Sequence, residues 1–187
     1  MTIKGVVGLD LSLTGTGFVR LAQSEKTIRD TIKSAVKDGT HLARYRKTTK
    51  VIAAATEPDD VFFIEEYAYG VPGGKSSLPV LGELNGVIKM ALWARTKFTR
   101  EPFLITIGQW KKFLCGKGNL NKDAFKLEVF KKFNIECDTN DEAAAYAIAD
   151  LGWHLVMEPK RKLTKYENQV LEAVRKRYAV ELQLLAK

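Results

Sequence analysis

Cysteine and histidine are scarce in this 187-residue chain, with two of each. Cys115 and Cys137 cannot build a disulfide framework or a zinc ribbon, and His41 and His154 are too scattered for a histidine-based metal centre. Long apolar runs are also missing: none approaches the roughly 20 residues needed to cross a bilayer. Residues 1–12 lack the cleavage-site pattern that ends a secretory signal, so a cytoplasmic location is the expectation. Acidic residues are in deficit, 22 Asp and Glu against 30 Lys and Arg, which leaves a net charge of +8. Such a balance favours an acidic partner, because a basic surface gains from counterion release on a nucleic-acid backbone. A solvated lysine-rich surface with no partner has the same composition. What is present, 45% hydrophobic residues in a chain of this length, suits one domain with a real core.

Val6 to Leu11 reads as a buried strand, and the turn at Gly15, Thr16 and Gly17 leads to a second strand over residues 18–21, a β-hairpin beginning. Helical spacing follows over residues 41–55, with Leu42, Tyr45, Ile52 and Ala55 as candidate core contacts, until Pro58 stops it. Residues 61–65 form another apolar strand, 70–77 a glycine- and serine-rich loop, 81–96 a helix and 103–107 a further strand. Asn121 caps a predicted helix over 122–133, and Asn140 caps another over 141–154. Strands in a hairpin, then alternating with helices, predict an α/β fold with a mixed sheet covered by helices. After Pro159 the chain is basic and helical in pattern, so the expected division is a domain over residues 1–158 and a C-terminal helical extension over 159–187.

Two of these strands end in acids. Asp10 follows an apolar run, where an unpaired buried carboxylate costs several kcal/mol on the order assigned to buried ions. Glu65 repeats the pattern after Phe62, Phe63 and Ile64. Asp10 alone can be a hydrogen-bond acceptor for the turn from Ser12 to Gly17, but two acids closing neighbouring strands call for a cation between them. Mg²⁺ or Mn²⁺, which prefer oxygen ligands, suit such a pair better than zinc. Asp141 opens a helix whose small residues Ala144, Ala145 and Ala149 allow close approach to a sheet; its other reading is an acid satisfying the helix dipole. Strand alternation and helix geometry turn Glu66 and Glu142 away from Glu65 and Asp141. Tyr67 and Tyr69 are candidates for stacking on unpaired bases or for core packing, and Lys75 for phosphate contact.

Gly8-Leu9-Asp10-Leu11-Ser12 with Gly15 and Gly17, then Ile64-Glu65-Glu66, resemble the first two motifs of RuvC-type Holliday junction resolvases. Leu81-Gly82-Glu83-Leu84-Asn85-Gly86 resembles the helix that follows, Gly116-Lys117-Gly118 with Lys122 the basic stretch, and residues 140–147 the closing acidic helix. The likeness spans roughly residues 4–153, and the setting of Trp110-Lys111-Lys112 is similar to the phage-encoded branch. It implies an RNase H-like fold and a homodimer making paired nicks across a four-way DNA junction, in the bacterial host's cytoplasm for a phage protein. Two divalent ions, Mg²⁺ or Mn²⁺, are implied on four acids, with Asp10, Glu65 and Asp141 matching three of them. Lys111 and Lys122 match assisting lysines, and Lys117 falls with Tyr67, Tyr69 and Lys75 among the candidate DNA contacts. Solvated surface charge is the other reading of Lys111 and Lys122.

The departure is Ala144, where the pattern has a second aspartate three residues after Asp141. Either the sequence was altered to block cleavage, which the intact surroundings favour, or metal is held differently, with Glu142 or Asp138 recruited. Competing functions are a cleavage-silent junction-binding protein, an RNase H-like nuclease acting on forks or flaps, and, more distantly, an actin-like ATPase fragment. The last needs two such domains to close on a nucleotide. The apolar positions of residues 81–96 exceed one narrow stripe, which suggests a dimer interface there.

Overall fold

The computed structural model describes residues 2–23, 26–66 and 78–185. Tyr67, Tyr69 and Lys75 lie outside the described residues. Among those described, β1 (Gly5–Asp10), β2 (Gly15–Ala22), β3 (Ile28–Lys33), β4 (Val61–Glu65) and β5 (Phe103–Ile105) form one sheet in the order β3-β2-β1-β4-β5. The first three strands are antiparallel neighbours, whereas β4 and β5 run parallel to β1, so the sheet is mixed. Strand alternation divides the core. Val6, Val19, Val61 and Phe63 face one side, packing with α3 (Ile107–Cys115), α4 (Phe125–Phe133), α5 (Asn140–Val156) and α6 (Lys165–Arg177). Val7, Leu9, Phe18, Phe62 and Ile64 face the other, against α1 (His41–Ala54) and α2 (Leu78–Arg95). A short α7 (Ala179–Leu185) ends the described chain. No helix among the described residues is long and apolar enough to cross a membrane.

Several local expectations shift. β3 carries no apolar alternation, since four of its six residues are exposed on an edge strand, and hydrophobic pattern alone passes over it. Leu42 is 70% exposed, so α1 presents Tyr45 and Ile52 to the core without it. The strand at 103 stops at Ile105 because Thr106 caps α3 in a reciprocal box with Gln109. Asn121 caps a 3₁₀ turn (Lys122–Ala124) that leads into α4, rather than one continuous helix. Thr139, not Asn140, caps α5, its hydroxyl accepting from the Glu142 amide. The basic C-terminal stretch forms two helices, broken at Tyr178.

α5 lies against the sheet almost backbone to backbone. A methyl on Gly8 would fall 2.2 Å from the Ala145 carbonyl oxygen and 2.5 Å from the Ala149 amide nitrogen, and one on Gly17 would fall 1.9 Å from the Asp141 carbonyl oxygen. Small residues are therefore needed on both partners. Ala145 and Ala149 were legible as a close-packing face, and Gly8 and Gly17 are its complement in β1 and β2.

The C-terminal helices are part of this packing. Val170, Leu171 and Val174 of α6 are buried in the same core as α5. Beneath them the buried Glu167 meets Lys132 at 2.6 Å and Arg161 at 2.7 Å, and Arg161 also meets Asp150 at 2.8 Å. These ion pairs hold the Glu167 carboxyl down at about 2 despite the opposing effect of burial.

Gly8→Ala destabilises the fold by about 3 kcal/mol or more, since the new methyl meets rigid backbone rather than a side chain that can turn aside. Urea unfolding followed by circular dichroism measures it; a stability equal to that of the parent chain contradicts the close approach of α5 to β1.

Candidate active site

The strand ends bring the acids together. Leu9 pairs with Ile64 across β1 and β4, so Asp10 and Glu65, one residue further along each, sit on adjacent strands about 4.8 Å apart. Gly8 meets α5, and Phe63 packs with α5 residues in one core. Alternation therefore turns Asp10 and Glu65 toward α5 as well. Asp10 is paired across the hairpin with Gly17, over which the Asp141 main chain rests, and a methyl on Gly15 would lie 3.4 Å from Asp141 Oδ2. Close packing of α5 thus delivers the third carboxylate.

Electrostatics record the crowding. Burial raises the Asp10 carboxyl well above its ordinary range, and the charges of Glu65 and Asp141 push it the same way, with Lys122 partly opposing. Glu65 is raised as well, first by burial, while a hydrogen bond from Trp110 and the charges of Lys111 and Lys122 restrain the rise. Lys122 Nζ donates to Asp141 Oδ1 at 3.0 Å, and this bond, aided by Asp10 and Glu65, raises its ammonium and keeps it charged. Lys111 Nζ lies 5.1 Å from the centre of the Phe125 ring and 5.8 Å from that of Trp110. Lys117 is exposed in the turn after α3.

Neighbouring acids have other partners. Glu66 takes both arms of Arg177 at 2.8 Å, which hold its carboxyl below the usual range. Glu142 is buried and accepts from Arg29 at 2.9 Å and from the Asp138 amide at 3.0 Å, so recruitment of Glu142 to replace a missing ligand is not what the fold provides. Asp138 is exposed. Position 144 is 60° from Asp141 around the helix in the sense opposite to Glu142. Since Glu142 reaches Arg29 on β3, Ala144 lies toward β4 and Glu65, fully buried.

Two contributors escaped sequence reasoning. Trp110, 1% exposed, donates its indole N–H to Glu65 Oε2 at 2.8 Å. Its one signal is general: a buried indole needs an acceptor. β3 anchors the start of α5 through Arg29, which also donates to the Glu136 carbonyl at 2.7 Å, and through Thr31, whose hydroxyl lies 2.6 Å from that of Thr139.

Among the described residues no three Asp, Glu, His or Cys side chains stand close enough to enclose a metal ion. The donor chemistry nonetheless fits a hard cation: three carboxylates, two of them raised by burial and mutual repulsion, with one lysine set against them. Added positive charge at this point relieves the repulsion.

No protein-family model matches the chain, and no curated protein matches its sequence. Solved structures do. The structure of Thermus thermophilus RuvC is 16% identical with a TM-score of 0.62, covering 94% of this chain and 96% of that one. T. thermophilus RuvC in complex with a Holliday junction substrate is 18% identical with a TM-score of 0.63, covering 78% and 90%. The yeast mitochondrial Holliday junction resolvase Ydc2 aligns more loosely, at 14% identity and a TM-score of 0.42 over 98% and 84%. The fold is RNase H-like, a mixed five-stranded sheet flanked by helices as in RuvC.

Replacing Trp110 with Phe removes a donor that favours the ionised carboxylate, so Glu65 titrates at a higher pH than in the parent chain. Carbon-13 NMR of the glutamate carboxyls measures the shift; an unmoved or lowered Glu65 contradicts the hydrogen bond's role.

Proposed function

We propose that this chain is a metal-dependent, structure-selective DNA endonuclease that resolves four-way junctions by paired nicks. The observation that carries the reading is the gathering of Asp10, Glu65 and Asp141, with Lys122 among them, at one end of an RuvC-like sheet. The excess of basic residues suits a DNA partner, and one of the similar structures is that of a RuvC bound to a Holliday junction. We read the setting of Trp110-Lys111-Lys112 as that of the phage-encoded branch, with the protein acting in a bacterial host's cytoplasm. The nuclease domain spans residues 1–158, and 159–187 form an extension packed upon it.

Asp10, Glu65 and Asp141 are the residues that would hold Mg²⁺ or Mn²⁺. A divalent ion bound there would supply activation of water and stabilisation of the charge on the leaving group. Trp110 orients the Glu65 carboxylate. Lys122 stays protonated beside the acids and neutralises charge on the attacked phosphate, with Lys111 adding positive potential from α3. Lys117, Tyr67, Tyr69 and Lys75 contribute DNA contacts.

Ala144 favours a second reading of the same site, a protein that binds junctions and cleaves them poorly. Two ions need a fourth carboxylate, and the position facing β4 carries a methyl group. In an assay with a labelled four-way junction, a duplex and a flap, Ala144→Asp gains Mg²⁺-dependent paired nicking of the junction over the parent chain. Adding Asp10→Asn lowers the rate by on the order of 10²-fold or more. Junction binding with no gain in nicking identifies the silent binder instead, and preferential cutting of the flap identifies another substrate.

Paired nicks call for a homodimer, with α2 at the interface. Leu84, Ile88 and Leu92 of that helix are buried within the chain, while Val87 and Met90 are 38% and 56% exposed and available to a second copy. Light scattering at micromolar concentration yields the mass of a dimer; a monomer overturns this part of the reading.

A further inference from the structure

We propose that Arg177, from the far end of the chain, is a positioning residue for Glu65, acting through a bidentate grip on Glu66. This rests on the reading of Glu65 as part of the metal-holding cluster. β4 ends at Glu65, and the next residue is held from two directions. The Glu66 amide donates to the Ile105 carbonyl at 2.8 Å, fixing the main chain to β5. Its carboxylate receives Arg177 Nη1 on Oε2 and Nη2 on Oε1, both at 2.8 Å. Tyr178, the adjacent residue, then takes hold of β5 itself: its hydroxyl accepts from the Leu104 amide at 2.9 Å and donates to the Leu104 carbonyl at 3.1 Å. Leu104 pairs with Ile64, and Ile105 with Glu65. Two consecutive residues at the end of α6 therefore fasten the ends of both strands beside the acidic cluster.

The form of the contact points to orientation rather than stability. Both partners are about one-third exposed, 37% for Arg177 and 30% for Glu66, and an ion pair that wet stabilises a fold little. A planar fork on a carboxylate nevertheless fixes direction as well as distance. The guanidinium carbon also lies 5.1 Å from the centre of the Tyr178 ring, so the fork is braced by the residue that grips β5. Glu65 and Glu66 share a peptide unit, so rotation of one main chain is felt at the other. Glu65 must keep its carboxylate on the Trp110 indole and turned toward Asp10, and the grip on Glu66 limits the swing of the strand end that carries it.

The Trp110 indole N–H reports the Glu65 carboxylate without needing activity or metal. In a nitrogen-15 correlation spectrum the chain has three indole signals, from Trp93, Trp110 and Trp153, and Trp110→Phe assigns the one of interest. Arg177→Ala moves the Trp110 signal toward that of a weaker hydrogen bond and leaves the other two in place. Arg177→Lys, which keeps the charge and loses the fork, restores it only in part, and the exchanged pair Arg177→Glu with Glu66→Arg restores it further. On the Ala144→Asp background, Arg177→Ala lowers junction turnover about tenfold with KM for the junction unchanged. An unmoved Trp110 signal overturns the proposal, as does movement of all three indoles together, which marks general loosening. A Trp110 signal that moves and recovers as expected, in a protein that nicks no DNA in any form, upholds the positioning role and refutes the nuclease reading instead.

Discussion

The contact on which the site depends is the near-touching of two backbones, α5 over the glycines of β1 and β2. Gly8 lies under Ala145 and Ala149, and Gly17 under Asp141, with no room for a methyl group on either glycine. Large side chains between the helix and the sheet would hold α5 further off and carry a residue in its first turn away from the acids at the strand ends. Small residues on both sides close that distance. The same contact excludes water from most of α5, and this is why burial is the first cause of the raised Asp10 carboxyl.

Bringing three carboxylates together has an electrostatic cost, and the surroundings answer it in part. Lys122 sets a charge against Asp141, and Trp110 donates to Glu65. The remaining acids of the two motifs are turned to structural uses, Glu142 to Arg29 and Glu66 to Arg177. A pair such as Glu65-Glu66 therefore divides its work: one member faces the site, and the other is the handle by which the strand end is held. Ala144, fully buried in the same helix three residues after Asp141, adds no fourth acid to the cluster.

The edges of the sheet are treated unequally. β3, mostly polar, is an edge strand, and charged side chains such as Arg29 and Asp30 guard it against pairing with another chain. β5 is only three residues long, and Tyr178 satisfies both the amide and the carbonyl of Leu104. The C-terminal helices thus complete the sheet as well as the core, and their connection to the body runs through the buried Glu167 network.

Much of the fold and part of the site were legible in the residues alone. Buried strands announce themselves by apolar runs, so β1, β4 and their terminal acids Asp10 and Glu65 could be read, as could the small-residue face of α5 that starts at Asp141. Those features are local, and their physics acts within a few residues. β3 was not legible because an edge strand with one wet face needs no hydrophobic pattern, and α3 was not because its cap, Thr106, ends an apolar strand without a break in composition. Neither were the partnerships of Trp110 with Glu65, Arg29 with Glu142 and Arg177 with Glu66, which join residues 45, 113 and 111 positions apart. Side chains of this kind carry no periodic signal: a buried indole needs some acceptor and a guanidinium some carboxylate, and only the packed chain decides which one lies within reach. The sequence by itself thus determined the buried strands, most of the helices and the acids that end β1 and β4, while tertiary structure alone decided how those acids are oriented and held.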